Sequence, residues 1–262
     1  VTPTPKTEAG KAGLEAILTD PSGTLIGLDF DGTLAPIVED PAAARAHPAV
    51  AGTLARLRAR VGDIVIITGR PGQDLVGGLP VLGHYGLEQW ADGELHAPPE
   101  HPGVEVARKA LAAMELPPGV RVEDKGHSVA VHTRQAADPA GALRALDGPL
   151  RELAHANGLA AEPGRFVLEL RPPGMDKGVA LRAYVERTGS RSVLYVGDDL
   201  GDLKAFDAVE ELRAAGIPGV TVASSSDEVT ELAARADLVV AGPDGVVDLL
   251  ASLCERIASG AA

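Results

Sequence analysis

The chain has 262 residues, an apolar fraction of 45% and a formal net charge of −13. That length suits one large domain, or a core domain carrying a smaller one. The acidic balance argues against nucleic acid and anionic lipid as partners. It also repels phosphate, so any phosphate ligand needs local positive charge from a metal and a few placed Lys or Arg. Cys254 is the only cysteine, which rules out an intramolecular disulfide. No apolar run of about 18 residues is present, so no membrane association is expected. The first residues, Val1 to Gly10, lack the apolar stretch of a signal peptide, and the expectation is a cytoplasmic monomer. The histidines are scattered and fit no zinc spacing.

Taken in chain order, the first eight or so residues are expected to be disordered, and Glu8 to Leu18 to form a short helix. Thr24 to Phe30 is an apolar run that breaks into Asp29-Phe30-Asp31-Gly32, a buried strand ending in a turn. Val50, Leu54, Leu57 and Val61 recur at helical spacing. Ile64 to Ile67 is a second buried strand, so the first two strands are parallel neighbours across a helix. Val81 to Tyr85 reads as a third strand, and Trp90 to Glu94 as a hairpin turn.

The character changes at Ala97-Pro98-Pro99. A helix (Val104 to Met114), two alternating strands (Val120 to Glu123, Ser128 to Thr133), a long helix (Pro139 to Asn157) and two more strands (Leu159 to Glu162, Arg165 to Leu170) follow. This αββαββ block closes at Arg171-Pro172-Pro173-Gly174 and reads as a separate domain between Pro/Gly-rich linkers. The expected division is residues 1–97 and 173–262 for the core, and 98–172 for the inserted domain. The buried-strand pattern then resumes: helix 176–186, strand 192–196, helix 203–213, strand 219–223, helix 228–234, strand 238–241 and helix 246–257.

Asp29-Phe30-Asp31-Gly32-Thr33-Leu34 is the strongest chemical signal. Residues two apart on a strand point the same way. Both carboxylates therefore face the carboxyl end of the sheet, where open α/β folds bind ligands. Close carboxylates repel each other unless a cation or proton lies between them. The string resembles the first motif of the haloacid dehalogenase superfamily of phosphotransferases. The resemblance implies that Asp29 attacks phosphorus and that Asp31 protonates the leaving oxygen and then activates water. Three further matches follow in order. Thr68, at the end of the second strand, is similar to the superfamily's phosphate-binding hydroxyl, with a helix N-terminus expected behind it. Lys177 resembles the Lys that neutralises phosphate and nucleophile, and its place at a helix start opposes the helix dipole. Gly197-Asp198-Asp199-Leu200-Gly201-Asp202 resembles the acidic metal motif. The resemblance implies Mg²⁺ held by Asp29, the backbone carbonyl of Asp31, and Asp198, an all-oxygen set suited to that hard ion. Asp202 is expected to orient Lys177 or a metal-bound water, Asp199 to stand behind the ligands, and Arg70 to support the site or pair with an acidic neighbour.

From about Leu25 to Leu253 the chain also resembles the trehalose-6-phosphate phosphatase family. Leu28 to Ile37 agrees with that family, and His84-Tyr85-Gly86-Leu87-Glu88 is similar to its His-Gly-x-Glu stretch with one residue altered. Glu123-Asp124-Lys125-Gly126-His127-Ser128 with Val131-His132-Thr133-Arg134, and Glu169-Leu170-Arg171-Pro172, resemble its inserted-domain patterns. The implied sugar contacts are Glu123, Lys125 and Glu169, with Arg134 and His132 as further polar candidates. After Gly197-Asp198-Asp199, the family's Arg-Thr-Asp-Glu-Asp flavour is replaced by Leu200 to Lys204, with Asp202 kept.

The resulting expectation is an α/β protein, a Rossmann-like parallel-sheet core with a smaller inserted α/β cap that closes over substrate. The implied activity is Mg²⁺-dependent hydrolysis of trehalose 6-phosphate through an aspartyl phosphate. The alternatives are a phosphatase for another sugar phosphate, such as sucrose or mannosylglycerate phosphate, a phosphomutase, and a non-catalytic sugar-phosphate binding module.

Overall fold

The computed structural model of the chain describes residues 3–38, 43–225 and 230–260. It divides into two compact units, Val1–His96 with Asp176–Ala262, and Ala97–Met175. Each has its own apolar core, which is why they separate: the core residues of the smaller unit all fall between Val104 and Leu170.

The larger unit opens with α1 (Glu8–Thr19) and β1 (Thr24–Leu28), then α2 (Val50–Arg58), β2 (Asp63–Ile67), β3 (Val81–Gly83), β4 (Glu88–Ala91) and β5 (Glu94–His96). In sequence the smaller unit follows, with α3 (Pro102–Ala113), β6 (Arg121–Asp124), β7 (Val129–His132), α4 (Pro139–Ala156), β8 (Ala160–Gly164) and β9 (Val167–Arg171). The larger unit resumes with α5 (Lys177–Thr188), β10 (Ser192–Gly197), α6 (Leu203–Ala214), β11 (Gly219–Ser225), α7 (Thr230–Arg235), β12 (Leu238–Ala241) and α8 (Gly242–Ser259).

Its eight strands form one sheet in the order β12-β11-β10-β1-β2-β3-β4-β5. Pairing is parallel from β12 to β3 and antiparallel for β4 and β5. The central strands are buried on both faces, as a parallel sheet between helices requires. Ile26, Leu28, Ile64 and Ile66 pack with α1, α2 and α8 on one side. Leu25, Val65, Ile67 and Tyr195 pack with α5, α6 and α7 on the other. Each such fully buried aliphatic side chain contributes about 1.5–3 kcal/mol, so the sheet centre is the rigid part of the scaffold. Strand order reverses at β1, with β10 on one side and β2 on the other. Such a switch point opens a crevice at the carboxyl ends of the strands.

The smaller unit is a four-stranded antiparallel sheet, β6-β7-β9-β8, with α3 and α4 packed on Val129, Val131, Leu168 and Leu170. Those residues alternate with Ser128, Ala130, His132, Glu169 and Arg171, so the other face is polar.

Several expectations change. No helix follows β2; residues 68–80 run as turns and bends into β3. The third strand stops at Gly83, because His84, Tyr85 and Gly86 take left-handed backbone with φ of 46°, 59° and 99°. A strand cannot continue through such residues. Val61 packs in the core beyond the end of α2 rather than on it. Residues 6 and 7 are tied down rather than disordered: the Lys6 N–H donates to the Asp237 carbonyl (2.8 Å), and Thr7 caps α1 while its hydroxyl donates to the Asp237 carboxylate. Val1 and Thr2 lie outside the described residues, as do the first two positions of the helix expected over 228–234. Among the described residues no helix is long and apolar enough to cross a membrane.

Candidate active site

β1 and β10 are in register, Leu28 beside Val196, and the Asp29 N–H donates to the Val196 carbonyl at 2.9 Å. The strand ends therefore deliver Asp29 and Asp198 to the same place. Gly32 makes the approach possible. Its φ is +76°, and a Cβ there would lie 2.0 Å from Asp198 Oδ2.

Lys177 enters as the first residue of α5, whose N-cap, Asp176, accepts from the Val179 N–H at 2.8 Å. A buried ammonium at a helix N-terminus is unfavourable by itself. Here it is offset by two carboxylates, Asp29 Oδ1 at 2.9 Å and Asp202 Oδ1 at 2.8 Å. Burial opposes the ammonium charge, but Asp202, Asp29 and Asp199 outweigh it and hold the Lys177 pKa above its ordinary value.

Asp202 is fully buried, and its lone pairs are used up. Oδ1 accepts from Lys177 and from Tyr195 Oη (2.6 Å), while Oδ2 accepts from the N–H groups of Asp198 (3.0 Å) and Asp199 (3.1 Å). It orients Lys177 and folds the acidic loop at once. Gly197 leaves the room, since a Cβ there would meet Asp202 Cγ at 2.2 Å.

Oxygen ligands from Asp29, Asp198 and Asp202 lie within 4.8 Å of one another. Of these three, Asp198 has a buried oxygen, Oδ1, without a hydrogen-bond partner. Burial, with neighbouring carboxylates adding to it, pushes Asp29 up to about 8 and Asp198 up to about 10. Two carboxylates this reluctant to ionise together, one with an orphaned oxygen, fit a hard divalent cation. Asp202 completes the acidic cluster but has no lone pair to spare, so Asp29 and Asp198 are the carboxylates able to hold one.

The remaining expected residues fall as follows. Thr68 is buried at the carboxyl end of β2, and its Oγ1 accepts from the Arg70 N–H at 3.1 Å. With no helix behind it, Thr68 has no dipole to offer an anion. The loop is fixed instead by the left-handed turn: the Tyr85 N–H donates to the Thr68 carbonyl (2.9 Å) and the His84 N–H to the Arg70 carbonyl (2.8 Å). Arg70 grips Asp31 with two nitrogens, each at 2.6 Å, so the Asp31 carboxylate is outside the acidic cluster. Asp199 is exposed, caps the Leu200–Asp202 turn through the Gly201 N–H (2.9 Å), and lies 3.8 Å from Lys177 Nζ.

On the polar face of the smaller unit, Glu123, Ala130, Glu169 and Glu162 form one cross-strand row. Glu169 is buried; Oε1 accepts from Ser128 Oγ (2.6 Å), and Oε2 pairs with Lys125 Nζ (3.4 Å). Glu123 pairs with His132 Nε2 at 2.8 Å. Arg134 lies in the exposed turn after β7 and makes no ion pair with these residues.

Two partners escaped the sequence reading. Tyr195 orients Asp202, and Ser224, at the end of β11, donates to the Gly32 carbonyl at 2.7 Å. The available signal for Tyr195 was a lone aromatic in an aliphatic strand facing Gly27, whose missing Cβ gives the ring space. Ser224 left no signal.

The trehalose-phosphatase family model matches residues 27–241, which spans both acidic motifs and the polar sheet between them. The chain belongs to the trehalose-phosphatase family. It is 33% identical to the trehalose-phosphate phosphatase of Mycobacterium avium over 250 residues, covering 88% of the chain and 62% of the relative. It is 41% identical to an uncharacterized glycosyl hydrolase of Mycobacterium tuberculosis over 201 residues, 70% of the chain but 15% of that protein. The chain thus spans less than two thirds of these relatives. The C-terminal domain of Candida albicans trehalose-6-phosphate phosphatase has the same fold, with a TM-score of 0.78 at 22% identity over 97% of this family member and 99% of the other.

Proposed function

We propose that the chain is a Mg²⁺-dependent phosphatase that hydrolyses trehalose 6-phosphate through a phosphorylated Asp29. The observation that carries the reading is the buried Lys177 bridging Asp29 and Asp202, next to an Asp198 oxygen with no partner. A buried nucleophile, a fixed cation and a place for a second cation suit phosphoryl transfer, where catalysis is mostly positioning and charge compensation. Family membership favours trehalose 6-phosphate as the ester.

In this reading an Asp29 oxygen attacks phosphorus in line as the ester P–O bond breaks. Asp31 gives its proton to the departing sugar oxygen. Arg70 takes one lone pair on each Asp31 oxygen, so in this reading the carboxyl group turns from that pair to reach the leaving oxygen. Water then attacks the aspartyl phosphate, Asp31 takes its proton, and phosphate and Asp29 are released. Lys177 and the Thr68 hydroxyl offset charge on the phosphoryl oxygens. Asp29, Asp198 and the Asp31 carbonyl would hold Mg²⁺, which would supply further charge neutralisation when bound. Glu123, Lys125 and Glu169 pair with the vicinal hydroxyls of the disaccharide, and the cross-strand row that holds Glu123 and Glu169, with Lys125 beside Glu169, supports that role. Arg134 is the weakest member of the proposed sugar set, having no ion-pair partner among the described residues.

The test is phosphate release from trehalose 6-phosphate, with and without Mg²⁺, beside sucrose 6-phosphate, mannosylglycerate phosphate and glucose 6-phosphate. Trehalose 6-phosphate should give the highest kcat/KM, and chelation should abolish turnover. Asp29→Asn should remain folded and inactive. Full activity in that variant sinks the nucleophile assignment, and preference for another sugar phosphate moves the substrate while leaving the chemistry. Substrate binding without phosphate release would point to a binding module.

A further inference from the structure

We infer that Arg108 is a positioning residue for sugar recognition, setting the direction of Lys125 without touching the ligand. The inference rests on the assignment of Lys125 and Glu169 to the sugar. Arg108 lies on α3, in none of the motifs that mark the site, yet its guanidinium reaches the β6–β7 turn on both sides of Lys125. Nε lies 2.6 Å from Asp124 Oδ2, and Nη2 donates to Asp124 Oδ1 (3.2 Å) and to the Gly126 carbonyl (3.1 Å). The same Nη2 also donates to Glu100 Oε1 (2.6 Å), sharing its two hydrogens among three acceptors, while Nη1 on the far side pairs with Glu105. Arg108 is thus held from behind while it holds the turn in front.

The turn needs such a hold. Gly126 has φ of +84°, and a Cβ there would meet nothing within 4 Å. A glycine in open space visits left- and right-handed backbone about equally. The peptide beside Lys125 would therefore be free to flip. Three bonds oppose the flip: the Gly126 N–H to Asp124 Oδ1 (2.9 Å), the Lys125 N–H to the Ser128 carbonyl (3.0 Å), and Arg108 to the Gly126 carbonyl. Among the described residues, Arg108 connects the carboxylate that starts the turn with the carbonyl that follows Lys125. In this arrangement Lys125 Nζ stays 3.4 Å from Glu169, which Ser128 fixes from the other side. Exposed ion pairs add little to global stability, so losing Arg108 should leave a folded protein with a mis-aimed Lys125. A planar fork spans a carboxylate and a carbonyl, whereas a lysine ammonium presents a single point charge.

The experiment compares kcat/KM on trehalose 6-phosphate with kcat/KM on p-nitrophenyl phosphate for the parent, Arg108→Met, Arg108→Lys, Asp124→Asn and Lys125→Ala, with a melting curve for each. Arg108→Met should lower the ratio of the two efficiencies by about 5-fold, mainly through KM for the sugar ester. Arg108→Lys should not restore it. A ratio within about twofold of the parent in Arg108→Met, with Lys125→Ala lowering it, overturns the positioning role and leaves the sugar site standing. Equal loss on both substrates overturns it in favour of a structural role. Should Arg108→Met fail to fold, Asp124→Asn, which weakens the same hold from the turn, decides by the same ratio. An unchanged ratio in Lys125→Ala removes the sugar assignment itself, and the inference with it.

Discussion

Asp202→Asn is the sharpest probe of the site, because it changes hydrogen-bond polarity and charge but not shape. Asp202 accepts two donors on each oxygen, Lys177 and Tyr195 on one, the Asp198 and Asp199 N–H groups on the other. Whichever way the new amide turns, its NH₂ faces two donors. Leaving a buried donor unpaired costs roughly 1–3 kcal/mol. Removing one partner of a buried ion pair costs about 3–5 kcal/mol, an upper bound here because Lys177 keeps Asp29 at 2.9 Å. The expected loss is about 3 kcal/mol for the larger unit. At roughly 2–4 °C per kcal/mol for a unit of this size, its Tm should fall by roughly 6–12 °C. Turnover should fall by about 10- to 100-fold, since Lys177 loses one of the two anchors that aim it and the acidic loop loses its staple. Calorimetry in Mg²⁺-free buffer and single-turnover phosphate release read the two effects. A Tm within about 2 °C of the parent, with turnover within about twofold, would refute the account of Asp202 as the anchor of Lys177.

Gly32→Ala places a Cβ 2.0 Å from Asp198 Oδ2 at a φ of +76°. The strained backbone costs about 1–3 kcal/mol, and displacement of Asp198 should weaken Mg²⁺ binding by calorimetry at least about 10-fold; parent-like affinity would show that Asp198 holds no ion. Burial holds Asp29 at about 8 and Asp198 at about 10, above an ordinary value of 3.8, so the metal-free fold keeps protons that the unfolded chain releases. The stability that those protons confer is complete below the unfolded value and lost as pH rises through the folded ones. Metal-free Tm should therefore fall from pH 6 to pH 9, and Mg²⁺ should raise Tm more at pH 8 than at pH 6. A Tm independent of pH and of Mg²⁺ over that range would contradict the acidic cluster as a cation site.

Strands such as Thr24–Leu28 and Ser192–Gly197 were legible in the sequence because a strand buried on both faces must be continuously apolar. Asp29 and Asp198 were legible because polar groups directly after such runs sit at the one end of a parallel sheet open to a ligand, and Lys177 because a cation at a helix start opposes the helix dipole. The helix expected behind Thr68 was not there: its periodicity was absent from residues 68–80, and a Thr after a strand caps nothing by itself. The partners of the expected residues were settled only by tertiary structure. Arg70 closes on Asp31 across 39 positions, and Lys125 meets Glu169 across 44. Sequence periodicity reports which face of an element is buried, a property of neighbours within a turn or a pleat. Which carboxylate an ammonium meets depends on chain crossings between strands, and no local pattern encodes them. So the chain's residues by themselves determined the chemistry available at the end of β1, whereas packing decided that Asp202, with no lone pair to spare, orients Lys177, and that Asp198 keeps the open oxygen.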